Sequence, residues 1–142
     1  MYPSNILKEY KGYDCTLPVC YDYDLNLRIS LNYKFRTTIK PVFKRRRHAN
    51  NLSSPTLENC LTEFKVLKNF YYNKGGKKVV PEKIAMKVFS KEACRAGRCA
   101  IRERTHEQAC QLLKQSFHQH PNIKSLAHWT RAVITKQLTT LF

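Results

Sequence analysis

The fold class expected from the sequence depends on DLNLRISLNYKFR, residues 24–36. Apolar and polar side chains alternate strictly along it, and the apolar ones are Leu25, Leu27, Ile29, Leu31, Tyr33 and Phe35. A period of two over this length is typical of a β-strand with one buried and one exposed face. Burial of a single face belongs to antiparallel sheets, so we expect antiparallel strands in the N-terminal part of the chain.

The exposed face of this predicted strand carries Arg28, Lys34 and Arg36 beside amide and hydroxyl side chains. Such a face suits contact with phosphate, although an ordinary solvated face has the same composition. A second group of cations follows in KRRRH, at Lys44, Arg45, Arg46 and Arg47. Guanidinium groups bind phosphate in a bidentate manner, and these seven cations are therefore the predicted nucleic-acid contacts.

The later part of the chain has helical periodicity. Apolar residues recur every three or four positions from Pro55 to about Asn69, with Cys60 on the buried stripe as a core residue. Further helices are predicted after Pro81, with Gly97 as a stop, across THEQACQLLKQSF (105–117), and from Ile123 onward. The paired glycines 75–76 predict a hairpin turn.

Together these patterns predict an α+β fold with N-terminal antiparallel strands and a helix-rich C-terminal half. The polar stretch ANNLSSP (49–55) suggests a boundary between a strand-rich basic segment, 1–48, and a helix-rich segment, 49–142. A single domain over 1–142 is the alternative, since 142 residues match one ordinary domain.

The charge of the chain indicates its partner. Lys and Arg number 26 against 10 Asp and Glu, which gives a formal charge of +16. Eight tyrosines and seven phenylalanines distinguish it from a disordered basic tail. A folded chain with this charge is usually matched by a polyanion, most commonly nucleic acid.

The cellular setting follows from what the sequence lacks. No secretory signal and no membrane-spanning apolar run is visible, so we expect an intracellular protein of the nucleus or cytoplasm, without a membrane partner. Its six cysteines would then be reduced. A secreted, disulfide-rich basic factor is the alternative that the even cysteine count leaves open.

The segment 94–121 carries three cysteines and three histidines and raises the question of a zinc site. Cys94 and Cys99 flank a loop containing Gly97, which would let both sulfurs face one ion. The second ligand pair is either His118 and His120, or His106 and Cys110 on one helical face. Cys15 and Cys20 repeat the same spacing and could form a second half-site or complete a four-thiolate site.

The spacing of Cys94, Cys99 and the HQHP segment resembles the zinc module of FLYWCH-type and WRKY-type DNA-binding domains, over residues 64–121 at most. The resemblance implies zinc bound by Cys94, Cys99, His118 and His120, at one end of a small antiparallel sheet. Periodicity, in contrast, predicts a helix between the two ligand pairs.

No arrangement of nucleophile and base, paired carboxylates or phosphate-binding glycine loop is visible, so we expect neither an enzyme nor a small-molecule substrate. The sequence predicts a small basic protein that binds DNA or RNA mainly through phosphates, with zinc as an expected cofactor. The alternative from another class is a basic structural subunit of a ribonucleoprotein or virion. The oligomeric state is not predicted.

Overall fold

A computed structural model describes residues 2–44 and 55–140. Within these two ranges the chain forms seven α-helices and no strand: α1 (Ser4–Glu9), α2 (Tyr21–Ile29), α3 (Leu57–Asn73), α4 (Gly76–Val79), α5 (Glu82–Arg102), α6 (His106–Gln119) and α7 (Ile123–Thr140). The predicted α+β class with N-terminal antiparallel strands is therefore wrong, and the fold is a helical bundle.

The first part of the predicted strand is the helix α2. Leu25 and Ile29, four residues apart, are both buried, so helical spacing accounts for them as well as alternation does. Asp24 and Arg28 form an ion pair of 2.8 Å at the same spacing, which favours a helix. Asp22 and Asp24 also lie in the first turn of α2, where the helix dipole stabilises negative charge.

The second part of the predicted strand has no regular structure. Beyond the turn at 30–32, Tyr33 is 38% exposed and Phe35 is 51% exposed, so the alternation buries no face. The tyrosine hydroxyl donates to Glu9, and the Phe35 ring packs edge-on against Tyr2.

The glycine pair at 75–76 does not form the predicted hairpin. Gly75 has φ of +91°, a left-handed conformation that ends α3, and Gly76 begins the short helix α4. The helices predicted within α3, α5, α6 and α7 are confirmed, as is the burial of Cys60. The side chain that caps α3 is Thr56, whose Oγ1 accepts from the amide of Asn59.

Helix α5 lies at the centre of the bundle and packs against α3, α6 and α7. Aromatic and aliphatic residues fill the α3–α5 contact near the N-terminus of α5, where Phe64, Tyr71 and Phe89 are buried. Towards its C-terminus α5 presents alanines instead, and Ala93, Ala96 and Ala100 have no exposed surface. Small side chains let neighbouring helices approach closely.

Helices α5 and α6 meet most tightly at Gly97, which the sequence predicted to end a helix. It instead lies inside α5, and a Cβ atom at this position would stand 2.6 Å from Cγ of Leu113. About two helical turns earlier on α5, Ser90 Oγ donates to the carbonyl of Ser116 and Ser116 Oγ donates to the carbonyl of Ser90. This reciprocal buried pair satisfies both hydroxyls and fixes the register of the two helices.

Within the described residues, none of the helices combines the length and apolar character needed to cross a membrane.

Substitution of Gly97 tests the close approach. Gly97→Ala should lower the free energy of unfolding by about 1–3 kcal/mol, because Leu113 is fully buried and has no space into which to move. This loss would occur although alanine is the better helix former by about 1 kcal/mol. Urea denaturation gives the difference.

The control is the same substitution in a Leu113→Ala background, where the clash is removed. There Gly97→Ala should be neutral or stabilising relative to Leu113→Ala alone. Stabilisation by Gly97→Ala in the wild-type background would show that α5 and α6 do not approach as closely as described.

Candidate nucleic-acid interface

Arg28, predicted to contact phosphate, is committed to contacts within the protein. Its Nε donates to Asp24, and its two terminal nitrogens donate to the carbonyls of Tyr10 and Gly12. Lys74 completes the cluster, 2.8 Å from the other oxygen of the Asp24 carboxylate, which is almost fully buried. Arg28 thus holds the α1–α2 loop and α2 together, and Lys74 ties both to the end of α3.

The other cations predicted to bind phosphate lie on the segment after α2. Lys34, Arg36 and Lys44 are exposed there. Arg45, Arg46 and Arg47, together with the predicted segment boundary at 48–49, lie outside the described residues. Their role in binding stays a prediction.

The four predicted zinc ligands do not share one site. Cys99 is buried against Cys60 of α3, whereas Cys94 lies along a groove on another side of α5. His120 lines that same groove, and His118 is exposed at the end of α6 with its ring edge near Phe117. Zinc binding stays a prediction.

The alternative ligands are also dispersed. His106 begins α6, and Cys110 lies one turn later on the same helix, half-buried against the core and apart from Cys15 and Cys20. Cys15 is exposed, and Cys20 is half-buried at the start of α2, where loss of hydration and the nearby Glu63 raise the pKa of its thiol. Within residues 2–44 and 55–140, no three His, Cys, Asp or Glu side chains are grouped to hold a metal.

A groove of about 1000 Å³ lies between α5 and the turn that joins α6 to α7. We call it the basic groove. Its cationic lining comprises Lys87, Lys91, Arg98 and Lys124, with the imidazoles of His120 and His128. The remaining lining residues are Val88, Ser90, Cys94, Asn122 and Ile123. None of these described lining residues carries a carboxylate.

Helical spacing on α5 builds one wall of the basic groove. Lys87, Lys91, Cys94 and Arg98 are separated by four, three and four residues, which places them on one face of the helix. The cores formed with α3 and α6 occupy the remaining faces. This cationic stripe was present in the sequence, but only the apolar periodicity of the same segment was used to predict the helix.

The other wall depends on how α6 ends and α7 begins. The carbonyl of His120 accepts a hydrogen bond from the side-chain amide of Asn122. The hydroxyl of Ser90, on α5, donates to the same carbonyl at 3.4 Å. Asn122 Oδ1 in turn accepts a hydrogen bond from the backbone amide of Ser125, so the Asn122 side chain caps the first turn of α7. These bonds place Lys124 and His128, four residues apart on α7, opposite the stripe on α5.

The positive charges that line the basic groove affect the pKa values of its other side chains. Loss of hydration lowers the pKa of His128, and the positive charges of Arg98 and Arg131 lower it further. Burial raises the pKa of the Cys94 thiol, against the opposing effects of Arg98 and of a bond with Ser116. Both side chains are therefore mainly neutral at pH 7, and the permanent charge of the groove comes from its lysines and Arg98.

Comparisons with protein-family models, with curated proteins and with solved structures found no match to this chain. The resemblance to FLYWCH-type and WRKY-type domains therefore rests on cysteine and histidine spacing alone. The small sheet that it implies within residues 64–121 is not formed, because that range is described throughout and contains most of α3 and all of α4, α5 and α6, with no strand.

Titration of His128 tests the geometry of the basic groove. By NMR, its imidazole should titrate below the ordinary value of about 6.5, because lost hydration and positive neighbours disfavour the protonated ring. Arg98→Ala should raise this pKa, and Arg98→Lys, which keeps the charge, should leave it low. A wild-type His128 that titrates above 6.5 would contradict the arrangement.

Proposed function

We propose that this protein binds DNA or RNA mainly through phosphate groups, and that the basic groove is its principal contact surface. The observation that carries the proposal is the lining of the groove, where four permanently charged side chains converge without a described carboxylate. A formal charge of +16 supplies the long-range attraction that brings a polyanion to this surface.

The length of the groove suits a polymer of phosphates. Lys87 and Arg98 are eleven residues apart on one helix, which at 1.5 Å per residue corresponds to about 16 Å. Along the duplex axis, one strand of B-form DNA advances by about 3.4 Å per phosphate, so a wall aligned with that axis has the length of roughly five phosphates. Lys124 and the two imidazoles face the stripe and can contact the same strand.

The chemistry of the lining supports binding to the backbone over recognition of bases. No Tyr, Phe or Trp is among the described lining residues, although stacking on aromatic rings is the usual means of holding unpaired bases. Lysine contributes charge without the planar geometry that favours bidentate contact with a base. We therefore expect binding with little dependence on sequence.

The segment after α2 is proposed as a second contact surface. Lys34, Arg36 and Lys44 are exposed, and KRRRH continues the same basic character. Because the segment is linked to the bundle, its cations would add phosphate contacts to those of the groove. The nucleus or cytoplasm, where both polynucleotides occur, is the proposed location.

A second candidate function is that of a basic structural subunit of a ribonucleoprotein or virion. The observation that favours it is the exposure of Ile39, Val42 and Phe43, of which the first is completely exposed and the others are 73% and 80% exposed. Large apolar side chains exposed this close together along the chain are typical of a segment covered in an assembly. A chain that is monodisperse alone at low salt would argue against an obligate subunit.

The salt dependence of binding tests the role of the basic groove. Each phosphate neutralised on duplex DNA contributes about −0.9 to the slope of log K against log salt. The triple variant Lys87→Ala, Lys91→Ala, Arg98→Ala should therefore reduce the steepness of this slope by about 2.7, if each side chain pairs with one phosphate. Fluorescence anisotropy with two unrelated duplexes should show the same loss for both sequences.

Two matched variants remove the same charge elsewhere. Lys65, Lys77 and Lys78 are exposed on α3 and α4, and none of them lines the groove. The variant with alanine at all three positions should retain most of the salt dependence of binding. Alanine at Arg45, Arg46 and Arg47 measures the second surface. If alanine at Arg45, Arg46 and Arg47 removes the salt dependence of binding while the groove variant retains it, the groove is not the contact surface. A wild-type slope near zero would rule out the function itself.

A further inference from the structure

Two buried cysteines from different helices face each other in the core. Cys60 of α3 and Cys99 of α5 are each 2% exposed, and their sulfur atoms are 3.4 Å apart although the residues are 39 positions apart in the chain. A disulfide bond is about 2.05 Å long, so the sulfurs would have to approach each other by about 1.4 Å. Because the two sulfur atoms already lie side by side, a small displacement of α3 relative to α5 would bring them to bonding distance.

The surroundings of the pair distinguish its two members. Arg102 donates to the Cys99 sulfur at 2.9 Å and also to the carbonyl of Pro55, so a positive charge lies beside Cys99. Burial, and the bond with Cys99, raise the pKa of the Cys60 thiol to about 12. Among the described residues, no third metal-binding side chain joins this pair, so the two sulfurs do not form part of a grouped metal site.

We propose that Cys60 and Cys99 form a reversible disulfide bond that links α3 to α5. The oxidant is a low-molecular-weight disulfide, such as oxidised glutathione. The Cys99 sulfur, after losing its proton, attacks one sulfur of the oxidant, whose S–S bond breaks to give a mixed disulfide and one free thiol. Cys60 then loses its proton and attacks the Cys99 sulfur, which releases the second thiol.

The exchange is balanced. The two cysteines lose two electrons, the oxidant gains them, and the two protons end on the released thiols. Cys99 is assigned the first attack because of the cation beside it, and Cys60 the second because its thiol keeps its proton at neutral pH. Since both sulfurs are buried, the first step requires α3 and α5 to separate briefly, and we expect slow exchange in the folded protein.

The cross-link would stabilise the bundle without changing its surface charge. It closes a loop that contains the whole of α4 and most of α3 and α5. Restriction of the unfolded chain by a loop of this length should raise the melting temperature by roughly 10 °C. This inference is independent of the proposed nucleic-acid function.

The experiment counts thiols after incubation of the protein with oxidised glutathione, in buffer and in urea near the unfolding midpoint, where the pair is accessible. Alkylation under denaturing conditions, read by intact mass, should find four reactive thiols in place of six. Peptide mapping should place the bond between Cys60 and Cys99. Dithiothreitol should restore all six thiols and reverse the rise in melting temperature.

Two sets of variants keep the test decisive. Cys94→Ser with Cys110→Ser should still form the bond, whereas Cys60→Ser should not. If Cys60→Ser does not fold, a variant with serine at Cys15, Cys20, Cys94 and Cys110 retains only the proposed pair and should lose both thiols. Six thiols that persist in urea, glutathione adducts without closure, or a bond between other cysteines would each overturn the proposal.

Discussion

The close approach of α5 to α6 is the constraint on which the rest of the structure depends. Gly97 leaves the space that Leu113 fills, and the hydroxyls of Ser90 and Ser116 each donate to the other residue's carbonyl in the buried contact between the same helices. The end of α6, and therefore the turn at His120 and Asn122, is held at a fixed distance from α5. From that turn Asn122 starts α7, and the second wall of the basic groove follows.

Some cations of the chain pair with carboxylates inside the fold, whereas others line the basic groove. Arg28 and Lys74 neutralise the buried carboxylate of Asp24. Arg95 of α5 pairs with Glu63 of α3 and with Glu92 of its own helix. These pairs use carboxylates that are scarce, since the chain has 10 against 26 lysines and arginines. The cations of the basic groove remain close to one another, and a phosphate polymer would relieve their mutual repulsion.

Helical periodicity predicted α3, α5, α6 and α7, because each buries a stripe against the bundle. The same reasoning failed for residues 24–36, where Leu25 and Ile29 satisfy periods of two and of four equally well. The Asp24–Arg28 ion pair and the position of Lys74, fifty residues further along the chain, decide in favour of the helix. Gly97 was misassigned for a related reason, since the need for space beside Leu113 arises only after α6 has packed.

The proposed contact surface could be predicted only in part from the sequence. The charge excess indicated a polyanion, and the stripe from Lys87 to Arg98 could have been recognised by its spacing. The opposition of Lys124 and His128 to that stripe depends on the α6–α7 turn, and no local pattern encodes it. The Cys60–Cys99 contact also joins distant segments, so cysteine spacing drew attention to Cys94 and Cys99 instead.

Mapping the bound nucleic acid onto the chain tests the central claim most directly. In an NMR titration with a short DNA duplex and a short RNA duplex, the account predicts the largest shifts along Lys87–Arg98 and Ile123–His128. Shifts confined to residues 34–44, or no shifts with either duplex at low salt, would contradict it.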